Sequence, residues 1–317
     1  PASDALVREV ASMIVGAKKP VLMMGRGSRK QSDWDRRVRL AELLGAKVIT
    51  SVRERAVFPT DHPLHPVTPF YRPAGPVLDV LREADAILSL DWVDPNGLFS
   101  QIAKPIQSLH AKFAHVSLDA LVHKGWSMDY FGLPPADVPV QADADTFLAQ
   151  LLPEVEARLG GKARWQGASR STARTPEYSA SANERIAPRD IEVALARCTP
   201  PAPMTLAHNT IGWSGDAMHF RGPLDYLGHD GGAGLAAGPG LTIGAALALQ
   251  DQGRIVVSVL GDGDFMQGVS ALWTAARYQI PALFIVSNNR SNFNDEIHQE
   301  TIAKVRARPV ENKWIGQ

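Results

Sequence analysis

The sequence predicts an α/β protein of two domains, each a parallel sheet flanked by helices. Three observations predict it. Helix-period segments alternate with short apolar runs through the first half of the 317-residue chain. A strand–helix–strand unit of the length of a right-handed βαβ crossover occupies residues 254–287. Between the two, residues 160–188 lack apolar periodicity and are rich in Gly, Ser, Ala and basic residues, as expected of a linker. The expected organisation is a first domain over 1–159, a linker over 160–188 and a second domain over 189–317.

Taken in order, "ALVREVASMIVGA" has helical apolar spacing, and "PVLMMGRG" is a strand running into a glycine turn. "DRRVRLAELLGA" is again helical and "KVITS" a strand; "GPVLDVLREA" and "AILSL" repeat the alternation, and "KFAHVSL" adds another strand. After the linker, "IEVALARC" is an amphipathic helical segment, which places Cys198 in buried packing. "PMTLAHNTIGWSG" (203–215) is a strand followed by a polar turn. "GGAGLAAGPGLTIGAALAL" (231–249) is a glycine-rich loop entering an alanine-rich helix. "RIVVSVL" (254–260) and "ALFIVS" (282–287) are strands buried on both faces, with "VSALWTAARYQ" (269–279) as the helix between them, ended by Pro281.

The polar ends of that unit carry its chemistry. Gly261-Asp262-Gly263 follows the first strand and Asn288-Asn289 the second, so both emerge at the carboxyl edge of one sheet, where open α/β sheets bind ligands. One carboxylate, one amide oxygen and one backbone carbonyl are too few oxygens for calcium. They suit magnesium, which takes its remaining ligands from phosphate and water. Gly261 and Gly263 allow a tight turn and close approach to a phosphate, and amides at the start of the next helix can cradle a diphosphate. The expectation is a magnesium–diphosphate site with Asp262, Asn289 and the Ser291 carbonyl as ligands.

Composition fits a cytoplasmic enzyme. The chain is 45% hydrophobic, enough for two substantial cores, and its formal net charge of zero argues against nucleic acid and against an anionic membrane surface. The single cysteine excludes an internal disulfide framework and a cysteine zinc cluster. No apolar run is long enough to span a bilayer, and no signal-like segment opens the chain.

Gly-Asp-Gly, then a helix and a strand, then Asn-Asn resembles the thiamine diphosphate motif. "SALWTAARYQIP" and the following "NN" are similar to benzoylformate decarboxylase, and "GDGDFMQG" with the upstream segments resembles the acetolactate synthase group. "FPTDHPLH" and "ADVPVQADADTFLAQLL" resemble the central domain of that family, over the first half of the chain. The resemblance implies a central domain plus a diphosphate-binding domain, with thiamine diphosphate and Mg2+ as cofactors. It implies main-chain contacts to the diphosphate from Asp264 and Phe265, and further contacts from Asn209, Thr210 and Gly212. In the glycine-rich loop it implies contacts from Ala233, Gly234 and Leu235. The Ala233 carbonyl would accept from the cofactor's 4′-amino group, and Leu235 would wedge beneath the thiazolium. His208, Glu296 and His298 are the candidates for catalytic groups.

Some relatives carry FAD or a nucleotide in the central domain, and Arg26, Arg29, Lys30, Arg53 and Arg55 near strand ends are candidate phosphate partners here. "SLDWVDPNG" lacks the arginine pattern usual in flavin-binding relatives. A pyrimidine-binding domain bearing an activating glutamate normally precedes the central domain. The chain enters the central domain directly and stops at "ENKWIGQ", so a piece of a longer enzyme, C-terminally incomplete in its last domain, is expected. The implied activity is decarboxylation or carboligation of a 2-keto acid or 2-hydroxyacyl substrate, by a homodimer or homotetramer whose pyrimidine-binding domain completes the site. The alternative is a regulatory module that binds magnesium–diphosphate or a nucleotide without turnover. A dinucleotide-dependent oxidoreductase is disfavoured, because no Gly-x-Gly-x-x-Gly opens a first βαβ unit with an acidic residue about 20 positions later.

Overall fold

The computed structural model describes residues 1–71, 73–105, 108–121, 132–171, 177–181, 184–198, 200–228 and 234–314. The chain forms two compact units. One comprises Pro1–Arg174 with His219–Leu224, the other Thr175–Met218 with Asp225–Gln317.

In the first unit the elements run α1 (Asp4–Gly16), β1 (Pro20–Met24), α2 (Gln31–Leu44), β2 (Lys47–Thr50), α3 (Gly75–Glu83), β3 (Ala86–Leu90), α4 (Pro95–Phe99), β4 (Lys112–Ser117), β5 (Val138–Gln141) and α5 (Ala144–Arg158). The strands form one parallel sheet in the order β2-β1-β3-β4-β5. β1 shows why the strands are apolar without alternation. Leu22 and Met24 enter a core with Val10, Ile14, Leu40 and Phe147, while Val21 and Met23 enter a second core with Val77, Ile87 and Phe113 on the opposite face. Strand order reverses between β1 and β3, which makes that carboxyl edge a topological switch point.

Part of the segment expected to be linker belongs to this unit. The amides of Arg164 and Trp165 donate to the carbonyls of Leu43 and Glu42 at 3.0 Å each, and Ser171 N donates to Asp61 O at 2.7 Å. The first two bonds satisfy the end of α2, and none of the three needs an apolar period, so the pattern of the sequence does not reveal them.

The second unit contains α6 (Pro188–Arg197), β6 (Met204–His208), α7 (Ala237–Ala248), β7 (Ile255–Gly261), α8 (Asp262–Gly268), α9 (Ala271–Arg277), β8 (Leu283–Ser287) and α10 (Phe293–Val305). Its parallel sheet has the order β6-β7-β8. Three expectations are corrected here. β8, expected to be buried on both faces, is the edge strand and only partly buried, with Leu283 47% exposed. The helix expected over 269–279 is present as Ala271–Arg277, but a first short helix, beginning at Asp262 directly at the strand end, precedes it. A side chain on Gly268 would meet the Ala236 carbonyl at 2.6 Å, so the chain leaves the first helix at a close backbone approach. Cys198 is exposed rather than buried, because α6 ends at Arg197 and Cys198 turns away in extended conformation (φ −66°, ψ 137°). Among the described residues no helix is long and apolar enough to cross a membrane.

Candidate functional site

Asp262 is the first helical residue after β7, where a carboxylate is favoured by the helix dipole. It is buried, and its Oδ1 accepts from its neighbour Gly263 N at 3.0 Å. Its Oδ2 accepts from Arg290 N at 2.5 Å. That bond ties the end of β7 to the loop after β8. The loop is shaped by its own side chains. Asn288 Oδ1 accepts from Arg290 N and Asn289 Oδ1 from Ser291 N, both at 3.0 Å, and Arg290 takes the left-handed conformation (φ 57°). Asp262, Asn289 and Ser291 therefore lie on two connections joined by a hydrogen bond. Ser291 Oγ donates to Glu296 Oε1 at 2.5 Å. Glu296 is buried beneath this loop, whereas His298 is on the exposed side of α10, so the two candidate catalytic groups part company.

At the end of β6, His208 is buried, with Nδ1 3.4 Å from the Val259 carbonyl and Nε2 3.8 Å from Asp264 Oδ2. This pairing of His208 with Asp264 was not foreseen; the residues are remote in sequence and share no pattern. Asp264 is itself buried, with Oδ1 accepting from Gly238 N at 3.4 Å and no hydrogen-bond partner for Oδ2 among the described residues. Asn209 is 2% exposed. Its Oδ1 accepts from the Tyr226 hydroxyl at 3.4 Å, and its Nδ2 has no partner among the described residues. A buried amide donor left over beside this strand edge is what an acceptor-rich ligand would satisfy. Thr210 Oγ1 lies 4.0 Å from where a Cβ on Gly261 would stand, so the 209–213 turn sits over the strand end. Gly212 uses a φ of 98°, and Trp213 N closes the turn on Thr210 O at 3.1 Å.

Of the glycine-rich loop, Ala233 lies outside the described residues. The Gly234 carbonyl accepts from Ala237 N at 3.4 Å, and Leu235 is 46% exposed just before α7. α7 then packs against β7 and α8 at very short range. A Cβ on Gly238 would lie 2.3 Å from Asp264 Oδ2 and 2.4 Å from a Leu260 methyl. The hydroxyls of Thr242 and Ser258, 2.5 Å apart, join α7 to β7 inside this contact. Phe265 emerges from α8 toward Phe284, with ring centroids 6.5 Å apart.

These residues fit a magnesium–diphosphate group. Among the described residues no cluster of three or more His, Cys, Asp or Glu side chains suits a metal ion. Among the described residues, the edge of the first unit's sheet offers no comparable fit to a flavin diphosphate. Arg26, at the β1 end of the switch point, is held by Asp91 at 2.8 Å and Asp119 at 2.5 Å, carboxylates that stand at the neighbouring strand ends. Arg53 lies over the Tyr71 ring, 4.4 Å from its centroid. Arg55 is pushed below its ordinary range by burial and by the neighbouring Arg29 and Arg37, while Arg29 and Lys30 are exposed.

Comparison with known proteins places both units. Residues 7–151 match the family described as thiamine pyrophosphate enzyme, central domain, and residues 209–312 match thiamine pyrophosphate enzyme, C-terminal TPP binding domain. The chain is 28% identical over 298 residues to the acetolactate synthase isozyme 1 large subunit of Escherichia coli K12, covering 91% of this chain and 49% of that protein. It is 39% identical over 72 residues to benzoylformate decarboxylase of Pseudomonas aeruginosa, covering 23% of this chain and 13% of that protein. The fold matches a thiamine diphosphate-dependent 4-hydroxybenzoylformate decarboxylase of Rhodococcus jostii RHA1 with a TM-score of 0.70 at 22% identity, over 99% of this chain and 56% of that one. It matches benzoylformate decarboxylase of Polynucleobacter necessarius with a TM-score of 0.71 at 20% identity, over 97% and 55%. The chain spans about half the length of the curated relatives it matches along most of its own length.

Proposed function

The chain belongs to the thiamine pyrophosphate enzymes, and from that premise we propose that it is the central and diphosphate-binding part of a magnesium-dependent enzyme that cleaves or joins a carbon–carbon bond in a 2-keto acid or 2-hydroxyacyl substrate. The observation that carries this reading is the hydrogen bond from Arg290 N to Asp262 Oδ2, which draws together the two arms of a carboxylate–amide–carbonyl set. Asp262, Asn289 and the Ser291 carbonyl would hold the metal. Backbone groups of Gly261, Gly263, Asp264 and Phe265 would hold the diphosphate, together with Asn209, Thr210 and Gly212. Contacts to the reacting ring would come from Gly234 and Leu235, and from Ala233.

When bound, thiamine diphosphate supplies a nucleophilic carbon that adds to a carbonyl and stores the resulting carbanion. The chain's own residues orient it. Leu235, half exposed just ahead of α7, would orient the reacting ring, and the value of such a contact is geometric. The buried His208–Asp264 pair sits behind the diphosphate segment and fixes it, so His208 is a positioning group. A homodimer or homotetramer, in which a pyrimidine-binding domain supplies the activating carboxyl group, completes the site.

Isothermal titration of the complete protein with thiamine diphosphate, with and without Mg2+, followed by turnover of a panel of 2-keto acids, tests this. Metal-dependent binding with turnover is expected. Binding without turnover of any 2-keto acid would favour a regulatory module. Absence of metal-dependent binding would overturn the reading.

A further inference from the structure

Glu192 lies on α6 with 0% of its surface exposed. Its Oε2 accepts from Ser214 N at 3.2 Å, Ser214 Oγ at 2.6 Å and Gly215 N at 3.1 Å. Its Oε1 accepts from Ala217 N at 3.0 Å and Met218 N at 3.1 Å. Four of the five donors are backbone amides, so the turn 214–218 is wrapped around one carboxylate as an anion nest. A buried carboxylate without such donors would be strongly unfavourable, and here the donors and the charge require one another. The same helix grips the turn a second time. Arg189 Nε is 3.0 Å from Asp216 Oδ2, and Asp216 Oδ1 is 2.5 Å from Ser214 Oγ.

The turn that carries Asn209, Thr210 and Gly212 ends at Trp213, one residue before this nest. On its other side it is fixed by His208, held against the Val259 carbonyl. Between these anchors Thr210 stands over Gly261. We infer that Glu192 is a positioning residue for the cofactor site: by caging Ser214–Met218 it sets the placement of Asn209–Gly212 over the Gly261–Asp262 strand end. This rests on the cofactor reading above.

In the complete holoenzyme, Glu192→Gln replaces one acceptor oxygen by an NH2 group that faces backbone N–H donors. The nest then opens on one side. The expected result is a thiamine diphosphate–Mg2+ dissociation constant raised roughly tenfold by calorimetry, with the cofactor-induced rise in melting temperature largely lost. Turnover at saturating cofactor should stay within about twofold, since no reacting atom is touched. Ser214→Ala removes one of the five donors and should weaken binding about threefold in the same direction. A folded Glu192→Gln protein with wild-type cofactor affinity overturns the inference. Should that variant fail to fold, unchanged affinity in Ser214→Ala overturns it, and weakened affinity there upholds it. Wild-type protein that does not bind the cofactor overturns the cofactor reading and this inference with it, whereas wild-type binding with unaltered variants overturns this inference alone.

Discussion

Arg290 N and Asp262 Oδ2, remote in sequence, are 2.5 Å apart at the carboxyl edge of the β6-β7-β8 sheet. The donor is a backbone amide, so the contact does not depend on the arginine side chain. It depends on the carboxylate. Asp262→Ala should weaken magnesium-dependent thiamine diphosphate binding by roughly 100-fold, the scale for losing a charged partner. The fold should survive, because Arg290 N keeps its bond to Asn288 Oδ1 and the ligand sits at a strand end rather than in the core. Calorimetric titration with circular dichroism checks both halves. Retained affinity would remove Asp262 from the site.

Leu235 separates orientation from affinity. It is half exposed, so Leu235→Ala should change the melting temperature little, as surface truncations do. Turnover should fall about 10- to 100-fold while the cofactor dissociation constant moves less than about threefold, because the diphosphate anchors are untouched. Steady-state kinetics at saturating cofactor, set beside titration, would expose an equal loss in both as mere packing.

β1 and β3 were legible because burial on both faces demands unbroken apolar runs, as Val21 to Met24 show by feeding two cores in alternation, whereas the equally apolar β8 is an edge strand and only partly buried. The approach of the Asp262 and Asn289 segments was legible for a topological reason: parallel strands joined by a helix end on the same edge. What escaped depends on contacts that leave no periodic trace. The break between α8 and α9 goes with Gly268 and the Ala236 carbonyl, from a separate loop. The His208–Asp264 pair and the attachment of Trp165 to the end of α2 join residues remote in sequence through single polar contacts. Cys198 was misplaced by one residue of helix length, which suffices to move a side chain from a buried stripe to solvent.

Two glycines of α7 should respond oppositely to alanine. Gly238→Ala would place a methyl 2.3 Å from Asp264 Oδ2 and 2.4 Å from Leu260. It must push α7 away from β7, costing about 1–3 kcal/mol and loosening the segment around Asp264. At Gly240 a methyl meets nothing within 4 Å among the described residues. Gly240→Ala should therefore stabilise by up to about 1 kcal/mol through helix propensity alone. Thermal melts of the two variants decide it. Equal effects would mean that the α7–β7 approach is not tight.

The first unit should lose stability on mild acidification, and His65 is a principal cause. The side chain is buried, stacked on Phe58 at a centroid distance of 6.1 Å, and its Nε2 is 2.9 Å from Thr50 Oγ1. Burial is the main effect that pushes its pKa down, to about 4. The Thr60 backbone and Asp61 act in the opposite sense, and His62 and His219 reinforce the depression. Between about pH 4 and the ordinary histidine value near 6.5, the unfolded chain binds a proton at His65 that the folded unit does not. Unfolding free energy therefore rises with pH across that window. The contribution is complete above about pH 6.5 and lost as pH falls toward 4, on the order of 3 kcal/mol in all. His115, also lowered by burial, adds a trend of the same sign, so the test is a difference. Amide hydrogen exchange of β2, followed from pH 4 to 7, should show a shallower loss of protection in His65→Gln than in the wild type. Parallel profiles for the two proteins would show that His65 does not carry this dependence.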